Sequence, residues 1–480
     1  MTKPNVIFII IDALRADHLS CYGYLKETSP NIDKLAEGGT LFNSCYSCTT
    51  ATDSSLTSIF SGRYPVSHGI IDHGPRVGQD EIYALSASGT IFLPEILKHE
   101  GYTTIALDWL GRWHRRGYDL YLSDLKEKQY RKQTRIARYG KLLVDSAPLN
   151  LRRLLLRGLR NLIIANKRRY DAKVLTNKAL HWVSTSSQPF YLFIHYWDVH
   201  AKYDPPKEFV QRAHKPGTTI SIEEMIQTVN NQNRREYLVD IAGGAKTVDE
   251  VIDRYDGAIS FVDYQIGRLL RLLKAHYILD NTLIVVTSDH GESLNEHGIF
   301  FGHHGLYDQT IHVPLIIRYP GDIPKGKRVE NLVQHVDVIP TILELLGAGA
   351  NWLSEFDGRE FMHLLAQNAT LEDFRPEIFV EEKFAQRKLA IRTQRYKYIM
   401  ANSYEEGICR LCGCVHGALE ELYDLDEDPE ECRNILVERP DIAKGLRNRL
   451  LEWRRQLEFR RIEKAKVRNG IQRLRELGKI

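Results

Sequence analysis

The chain has 480 residues, a formal net charge of +3, 43% hydrophobic and 26% charged residues. That balance excludes long disorder, and the charge is too small to signal a nucleic-acid partner. The length suits a large α/β domain with a smaller one beside it.

An apolar run at 6–11 begins almost at once and ends in Asp12. It lacks the basic segment and small-residue cleavage site of a secretory signal, and no stretch reaches the roughly eighteen apolar residues that span a bilayer. The expectation is a cytoplasmic protein without a transmembrane segment, whose seven cysteines are reduced thiols or metal ligands. Aliphatic and β-branched runs at 6–11, 103–107, 190–196, 282–287 and 313–318 predict strands, separated by lengths that fit helices. The alternation predicts an α/β fold with a mostly parallel central sheet flanked by helices, whose functional residues gather beyond the carboxyl ends of the strands. Asp12 follows one such strand, Asp198 and His200 a second, and Asp289 and His290 a third.

Residues 112–170 hold 17 Lys or Arg against four Asp or Glu, with apolar residues at helical spacing in "LNLRRLLLRGLRNLIIANKRRY". This reads as a basic helical insertion with a buried stripe, or as reversible peripheral contact with an anionic membrane surface or acidic polymer. Past about residue 370 the pattern changes to short alternating segments, "EIFVEEKF", "KLAIRTQRYKYIM" and "ELYDLDEDPEE", then a charged helix over 439–477. The expected division is a catalytic α/β domain over 1–369 and a smaller C-terminal unit over 370–480, an antiparallel sheet with a terminal helix.

Asp12, Asp289 and His290 offer the hard oxygen and borderline nitrogen donors that suit Mg, Mn, Zn or Ca. Singly, each reads equally well as a helix cap or a turn. The surrounding sequence adds to this. "NVIFIIIDALRADHLSCYGY", "TSPNIDKLAEGGTLFNSCYS", "FSGRYPVSHGI", "HYWDVHAKYDPP", "YDGAISFVDYQIGRLL", "LIVVTSDHGESLNEHG", "HHGLYDQTIHVPLIIRYPG", "HVDVIPTILELLG" and "ELYDLDEDPEE", in that order, resemble the sulfatase family of the alkaline phosphatase superfamily.

The resemblance covers nearly the whole chain and implies an alkaline-phosphatase-like sheet with a smaller C-terminal α/β subdomain. It also implies a metal-dependent hydrolase of sulfuric or related esters. It places Asp12, Asp289 and His290 on metal-ligand positions and His200 on the histidine that assists the leaving group. His303 stands where many relatives carry a lysine, with His304 beside it, and either one could face the site. Many sulfatases have two acidic residues at the first strand end, whereas here Asp12 is followed by Ala13. That departure, with His290 beside Asp289, looks more like relatives that use Mn or Zn on phosphate diesters or phosphonate monoesters than like a calcium arylsulfatase.

The family nucleophile is a formylglycine that opens a Cys-x-Pro-x-Arg pattern, nine residues before a Thr-Gly pair. Counting back nine from Ser61-Gly62 lands on Thr52, in a stretch without that proline and arginine, and Cys48 does not restore the pattern. Threonine cannot become formylglycine, so the hydroxyl itself must attack; a divalent cation would stabilise its alkoxide. Thr52 therefore counts as both nucleophile and metal ligand. Residues 54–61 predict a helix whose start would face the transferring anion, a geometry that equally suits a plain N-cap. Arg63 could bond the transferring group or pin its loop.

"GRWHRRGYD" is similar to a Lys-Trp-His segment of the family, which makes Arg112 and His114 candidate substrate contacts. Asp198, His200 and His304 form a ligand set for a second metal. "CRLCGCVHG" brings Cys409, Cys412, Cys414 and His416 together, with Cys432 following, and suits a structural zinc, a cluster of reduced thiols or an adventitious disulfide alike. The implied substrate is an anionic ester, either a small molecule or a sulfated or phosphorylated glycan or lipid. The alternatives are a phospho-group transferase and a catalytically silent protein that binds anions or a membrane surface.

Overall fold

The computed structural model describes residues 3–122, 171–210, 220–349, 351–366, 370 and 374–476. The expected basic helical insertion lies outside the described residues from 123 onward. Among the described residues, no helix is long and apolar enough to cross a membrane.

The strands are β1 (Asn5–Ile11), β2 (Thr40–Phe42), β3 (Cys45–Tyr46), β4 (Thr103–Leu107), β5 (Leu120–Tyr121), β6 (Phe190–Tyr196), β7 (Thr282–Thr287), β8 (Leu315–Arg318), β9 (Lys327–Val329), β10 (Val333–Gln334) and β11 to β14 (Glu377–Glu382, Lys388–Thr393, Tyr396–Met400, Glu420–Asp424). Eight of them form the central sheet in the order β5-β4-β6-β1-β7-β8-β2-β9. It is parallel from β5 through β7, and β8 then runs antiparallel to both β7 and β2. The short strands β2, β3, β5, β9 and β10 are too brief to show a sequence period.

The opening strand shows why the sheet is central. Ile7, Ile9 and Ile11 pack on one face with the helices Ala172–Thr185 and Val248–Ala275. Val6, Phe8 and Ile10 pack on the other with the helices Thr52–Ser61, Leu93–His99 and His335–Leu345. Burial on both faces removes the polar alternation that a half-exposed strand would need. β1 pairs in parallel with β6 and β7, in registers that include Ile11 with Tyr196 and Ile10 with Thr287. Their carboxyl ends are therefore level, and the loops leaving the three strands emerge along one edge.

The C-terminal sheet is antiparallel in the order β11-β12-β13-β14. Helix Pro440–Glu476 covers one face, with Ala443, Leu446 and Leu450 against Leu389, Ile391, Met400 and Leu422. The other face, through Ile378, Val380, Ala390 and Ile399, packs on Ile299, Leu306, Tyr307 and Ile311. That contact ties the small sheet to the chain that carries His303 and His304.

Lys397 on β13 lies at its centre. Its fully buried ammonium is 2.5 Å from Asp308 and 2.5 Å from Glu431, and donates to the Leu306 carbonyl at 3.2 Å. Lys397→Met leaves the buried Glu431 without its cation and Asp308 with Arg392 alone, 3.4 Å away, and is expected to cost about 3–5 kcal/mol in urea denaturation. A loss under about 1 kcal/mol, typical of a solvated pair, would contradict this account of the contact.

Candidate active site

Asp12 stands just past β1, and its amide extends the ladder by donating to Tyr196 O at 2.8 Å. Asp289 and His290 stand two and three residues past the end of β7. The donor atoms of the three side chains lie within 4.8 Å of one another, all fully buried. His290 Nε2 is 3.3 Å from Asp289 Oδ2 and 3.7 Å from Asp12 Oδ1. The adjacent Gly291 is required by space, since a Cβ there would lie 2.2 Å from Gln309 O.

Thr52 is the first residue of helix Thr52–Ser61, and the N-cap position belongs to Ala51. Its hydroxyl is not a cap; Oγ1 lies 3.3 Å from His290 Nε2. The other hydroxyls of this wholly buried helix have structural partners. Ser54 donates to Ile70 O, Ser55 to Asp289 O, Thr57 to Asp53 O, and Ser58 pairs with His68. The abundance of small hydroxyls thus lets a polar helix sit in the interior with its hydrogen bonds made. The amino end of the helix, with its positive dipole, opens toward the carboxylate cluster.

Asp12 Oδ1 and Oδ2 and Asp289 Oδ2 have no hydrogen-bond partner. Burial, then the charges of Asp289, Glu292 and Asp108, push the Asp12 carboxyl well above the usual carboxylate range. Burial also opposes ionisation of Asp289, but the neighbouring His290 and His195 and the Ala13 amide hold it below that range. His290 Nδ1 lies 2.8 Å from Gly291 O, which fixes that nitrogen as the N–H and leaves Nε2 a lone pair aimed at the cluster. Two unsatisfied buried carboxylates and an imidazole lone pair, held at one point, fit a divalent metal ion.

His303 stacks on His290 at a centroid distance of 4.5 Å, and His200 lies 5.2 Å from His303. His200 Nδ1 is 2.8 Å from Ala201 O, so its Nε2 is an acceptor, and burial holds its pKa down at about 4. Trp197 packs 6.1 Å from His200 and meets the exposed Trp109 at 4.5 Å, the two indoles tilted by 48°. Phe384, reaching in just after β11, faces His303 at 5.9 Å. The cluster thus has a histidine wall and an aromatic rim.

The sulfatase pattern matches residues 4–348, well over half of the chain, and a second pattern, N-sulphoglucosamine sulphohydrolase, C-terminal, matches residues 295–456. The chain belongs to the sulfatase family. Membership makes it a hydrolase of ester bonds. It is 25% identical to an N-acetylglucosamine-6-O-sulfatase of Bacteroides thetaiotaomicron, over 90% of this chain and 82% of the relative. Its fold matches that of a protein solved in complex with its substrate, D-glucosamine-2-N,6-O-disulfate, with a TM-score of 0.67, 22% identity, and 95% and 98% of the two chains covered. It also matches the phosphonate monoester hydrolase of Agrobacterium radiobacter, with a TM-score of 0.65, 20% identity, and 95% and 96% covered.

In this sulfatase-family protein several expected site residues are placed elsewhere. Arg63 bonds Thr90 Oγ1 at 2.9 Å, a loop-pinning contact. Arg112 donates to Gly74 O at 2.8 Å and Val77 O at 2.9 Å, and His114 Nε2 lies 3.0 Å from Asp53 Oδ1. His73 joins them, 3.2 Å from Asp53 Oδ2. Burial of Asp53 is outweighed by the bonds from His114 and His73, which hold its carboxyl far below the usual range. The basic side chains expected to meet substrate thus gather on the residue after Thr52. The second-metal set does not assemble: Asp198 accepts from the Ala172 amide, at the start of helix Ala172–Thr185, and His304 turns away from His303 toward Cys409 and His416. Adjacent residues of a non-helical segment readily point to opposite sides, and here only His303 meets His290.

Sequence reasoning missed Asp53, Asp108, His195 and Glu292. Asp108 follows β4 and meets His195 Nδ1 at 2.9 Å, while His195 Nε2, without a hydrogen-bond partner, points toward Asp12 Oδ2 at 3.8 Å. A histidine inside "FYLFIHY" was the available signal, because a buried ring among apolar residues needs a polar partner. Glu292 is fully buried, has no hydrogen-bond partner at either oxygen, and is pushed up to about 8 by burial.

Asp12→Asn removes the repulsion, so the metal-free variant is expected to melt above metal-free wild type at pH 7. Added Mn, a hard ion that the cysteine-containing group does not favour, should then raise the melting temperature of wild type and leave the variant nearly unmoved. A variant that melts lower, or gains as much from the ion, would show that Asp12 is neither strained nor a ligand.

Proposed function

We propose that this protein is a metal-dependent hydrolase that cleaves an anionic phosphate, phosphonate or sulfate ester through a covalent ester of Thr52. The observation that carries the reading is the Thr52 hydroxyl, 3.3 Å from His290 Nε2 at the start of a helix facing Asp12 and Asp289. Asp12, Asp289, His290 and Thr52 Oγ1 would hold the ion, which when bound supplies Lewis acidity that makes the hydroxyl a usable nucleophile near neutrality.

The remaining roles follow from the side chains. Thr52 Oγ1 bonds to phosphorus or sulfur as the bond to the leaving alcohol breaks in line. The positive end of the helix dipole faces the transferred oxygens, and His303 offers a donor on the other side. His200, with Nδ1 committed to Ala201 O, presents Nε2 to the water that hydrolyses the threonine ester. With its pKa held at about 4, His200 returns that proton to solvent, as Thr52 does its hydroxyl proton, and the alcohol leaves as its anion, which solvent protonates. Trp197 and Trp109 offer an angled aromatic surface for the alcohol part.

The threonine favours phosphorus. An ester of a hydrated aldehyde can eject its anion by collapsing to the carbonyl, whereas a threonine ester must be opened by water at the central atom. The fold likeness to a phosphonate monoester hydrolase supports that choice, and the sulfatase relative and the disulfated-sugar neighbour support sulfate.

The test is a panel of aryl phosphate monoester, phosphate diester, phosphonate and sulfate substrates, assayed with Mn, Zn, Mg or Ca. Turnover of a phosphorus ester is expected, with kcat/KM falling at least about 10³-fold in Thr52→Ala and less than about tenfold in Thr52→Ser. A Thr52→Ala enzyme of near wild-type rate would overturn the nucleophile, and inactivity on every substrate would favour a binding protein. His303→Ala is expected to lower kcat/KM on the order of 10²-fold with its melting temperature unchanged.

A further inference from the structure

We propose that His304, Cys409, Cys412 and His416 bind a structural zinc ion, separate from the Asp12, Asp289 and His290 cluster, that clamps the segment carrying His303 to the C-terminal part of the chain. The inference does not rest on the ester-hydrolase reading. Donor atoms of His304, Cys409 and His416 lie within 4.8 Å of one another, all buried. Cys412 Sγ is 3.0 Å from His416 Nε2, and the two imidazoles of His304 and His416 meet at 5.1 Å between centroids. A tetrahedral site with zinc bonds of about 2.3 Å to sulfur and 2.0 Å to nitrogen has edges of about 3.3–3.8 Å, so His304, Cys409 and His416 need only close slightly, while Cys412, already against His416, turns in as the fourth ligand.

The backbone is already shaped for chelation. Cys409 N donates to Cys414 O at 2.8 Å and Gly413 N to Cys409 O at 2.8 Å, while Ile408 and Val415 bridge across the turn. Gly413 takes φ +79°, a left-handed conformation that glycine adopts without penalty. This knuckle sets both sulfurs at one end of a small hairpin, with His416 four residues past Cys412. The remaining ligand comes from a hundred residues earlier in the chain. His304 is 2% exposed and its Nδ1 has no hydrogen-bond partner. Its ring packs on Gly302, where a Cβ would lie 3.1 Å from Nδ1.

Two soft sulfurs and two imidazoles select zinc among the common divalent ions. The alternative pairing, a disulfide between Cys409 and Cys412, would leave His304 and His416 buried without partners. The apolar cluster here has only Ala385, Cys409 and Cys412 at its centre, too few to hold the 401–419 segment by packing alone. The clamp would act on the active site through a single peptide unit, because the residue before His304 stacks on His290.

The test uses the full chain, purified in zinc-free buffer and dialysed, with metal counted by mass spectrometry. Wild type should retain zinc, and so should the Asp12→Ala Asp289→Ala double variant. Cys409→Ser and His304→Ala should lose a whole equivalent, with zinc affinity falling by more than the roughly 100-fold that loss of a mere supporting contact costs. Should those variants fail to fold, cobalt exchanged into wild type should show thiolate-to-metal charge transfer and tetrahedral bands. Zinc-free wild type, unchanged zinc in Cys409→Ser, cobalt spectra without the thiolate band, or a Cys409–Cys412 disulfide in unreduced peptides would each overturn the site. Loss of ester hydrolysis in Thr52→Ala with zinc retained would leave it standing.

Discussion

Two carboxylates, Asp12 and Asp289, are buried side by side at the ends of neighbouring parallel strands, and the rest of the site is organised around their repulsion. Level strand ends bring them together, since β1 and β7 run parallel in a register that ends both at the same edge. A buried pair of like charges is unfavourable unless an opposite charge lies between them. Ala13 at φ +59° turns its amide toward Asp289, and Leu14 donates to Ser288 Oγ, so the backbone after β1 is bent to meet the backbone after β7. Strain of that kind is held only where the surroundings over-determine it, and here a strand ladder on either side does so.

The distribution of positive charge around this pair is unusual for a site that takes an anion. Arg112, His114 and His73 converge on Asp53 at the helix start, and Arg63, past the other end of the helix, is bound to Thr90, so these basic side chains are engaged by the protein itself. Burial and their neighbours keep His290, His303 and His200 below ordinary histidine pKa values. Attraction for a substrate anion then falls to the helix amides and to a bound cation.

The C-terminal sheet supports this site. β11 delivers Glu382, whose carboxylate accepts from the Gly305 amide at 2.9 Å, and Glu381, whose amide donates to Cys48 O at 3.1 Å. Lys397 binds Asp308 a few residues further on. The chain from His303 to Asp308 is thus gripped by groups more than seventy residues away in sequence. Buried polar partners of this kind fix one conformation because every alternative leaves a charge or an amide unpaired.

The sequence alone determined the class of sheet, because strands buried on both faces must be continuously apolar, and it marked Asp12, Asp289 and His290 because polar residues stop such strands abruptly. It also singled out Thr52 by its distance from Ser61-Gly62. Tertiary structure alone decided between His303 and His304, adjacent residues whose directions depend on what packs against each side. It likewise joined Asp53 to Arg112 and His114, Asp108 to His195, and His304 to the Cys409 hairpin, pairs separated by 59, 61, 87 and 105 positions. The reason is physical: local periodicity reports which residues are buried, whereas the partner of a buried charge is chosen by topology, which brings distant strand ends and loops to one edge.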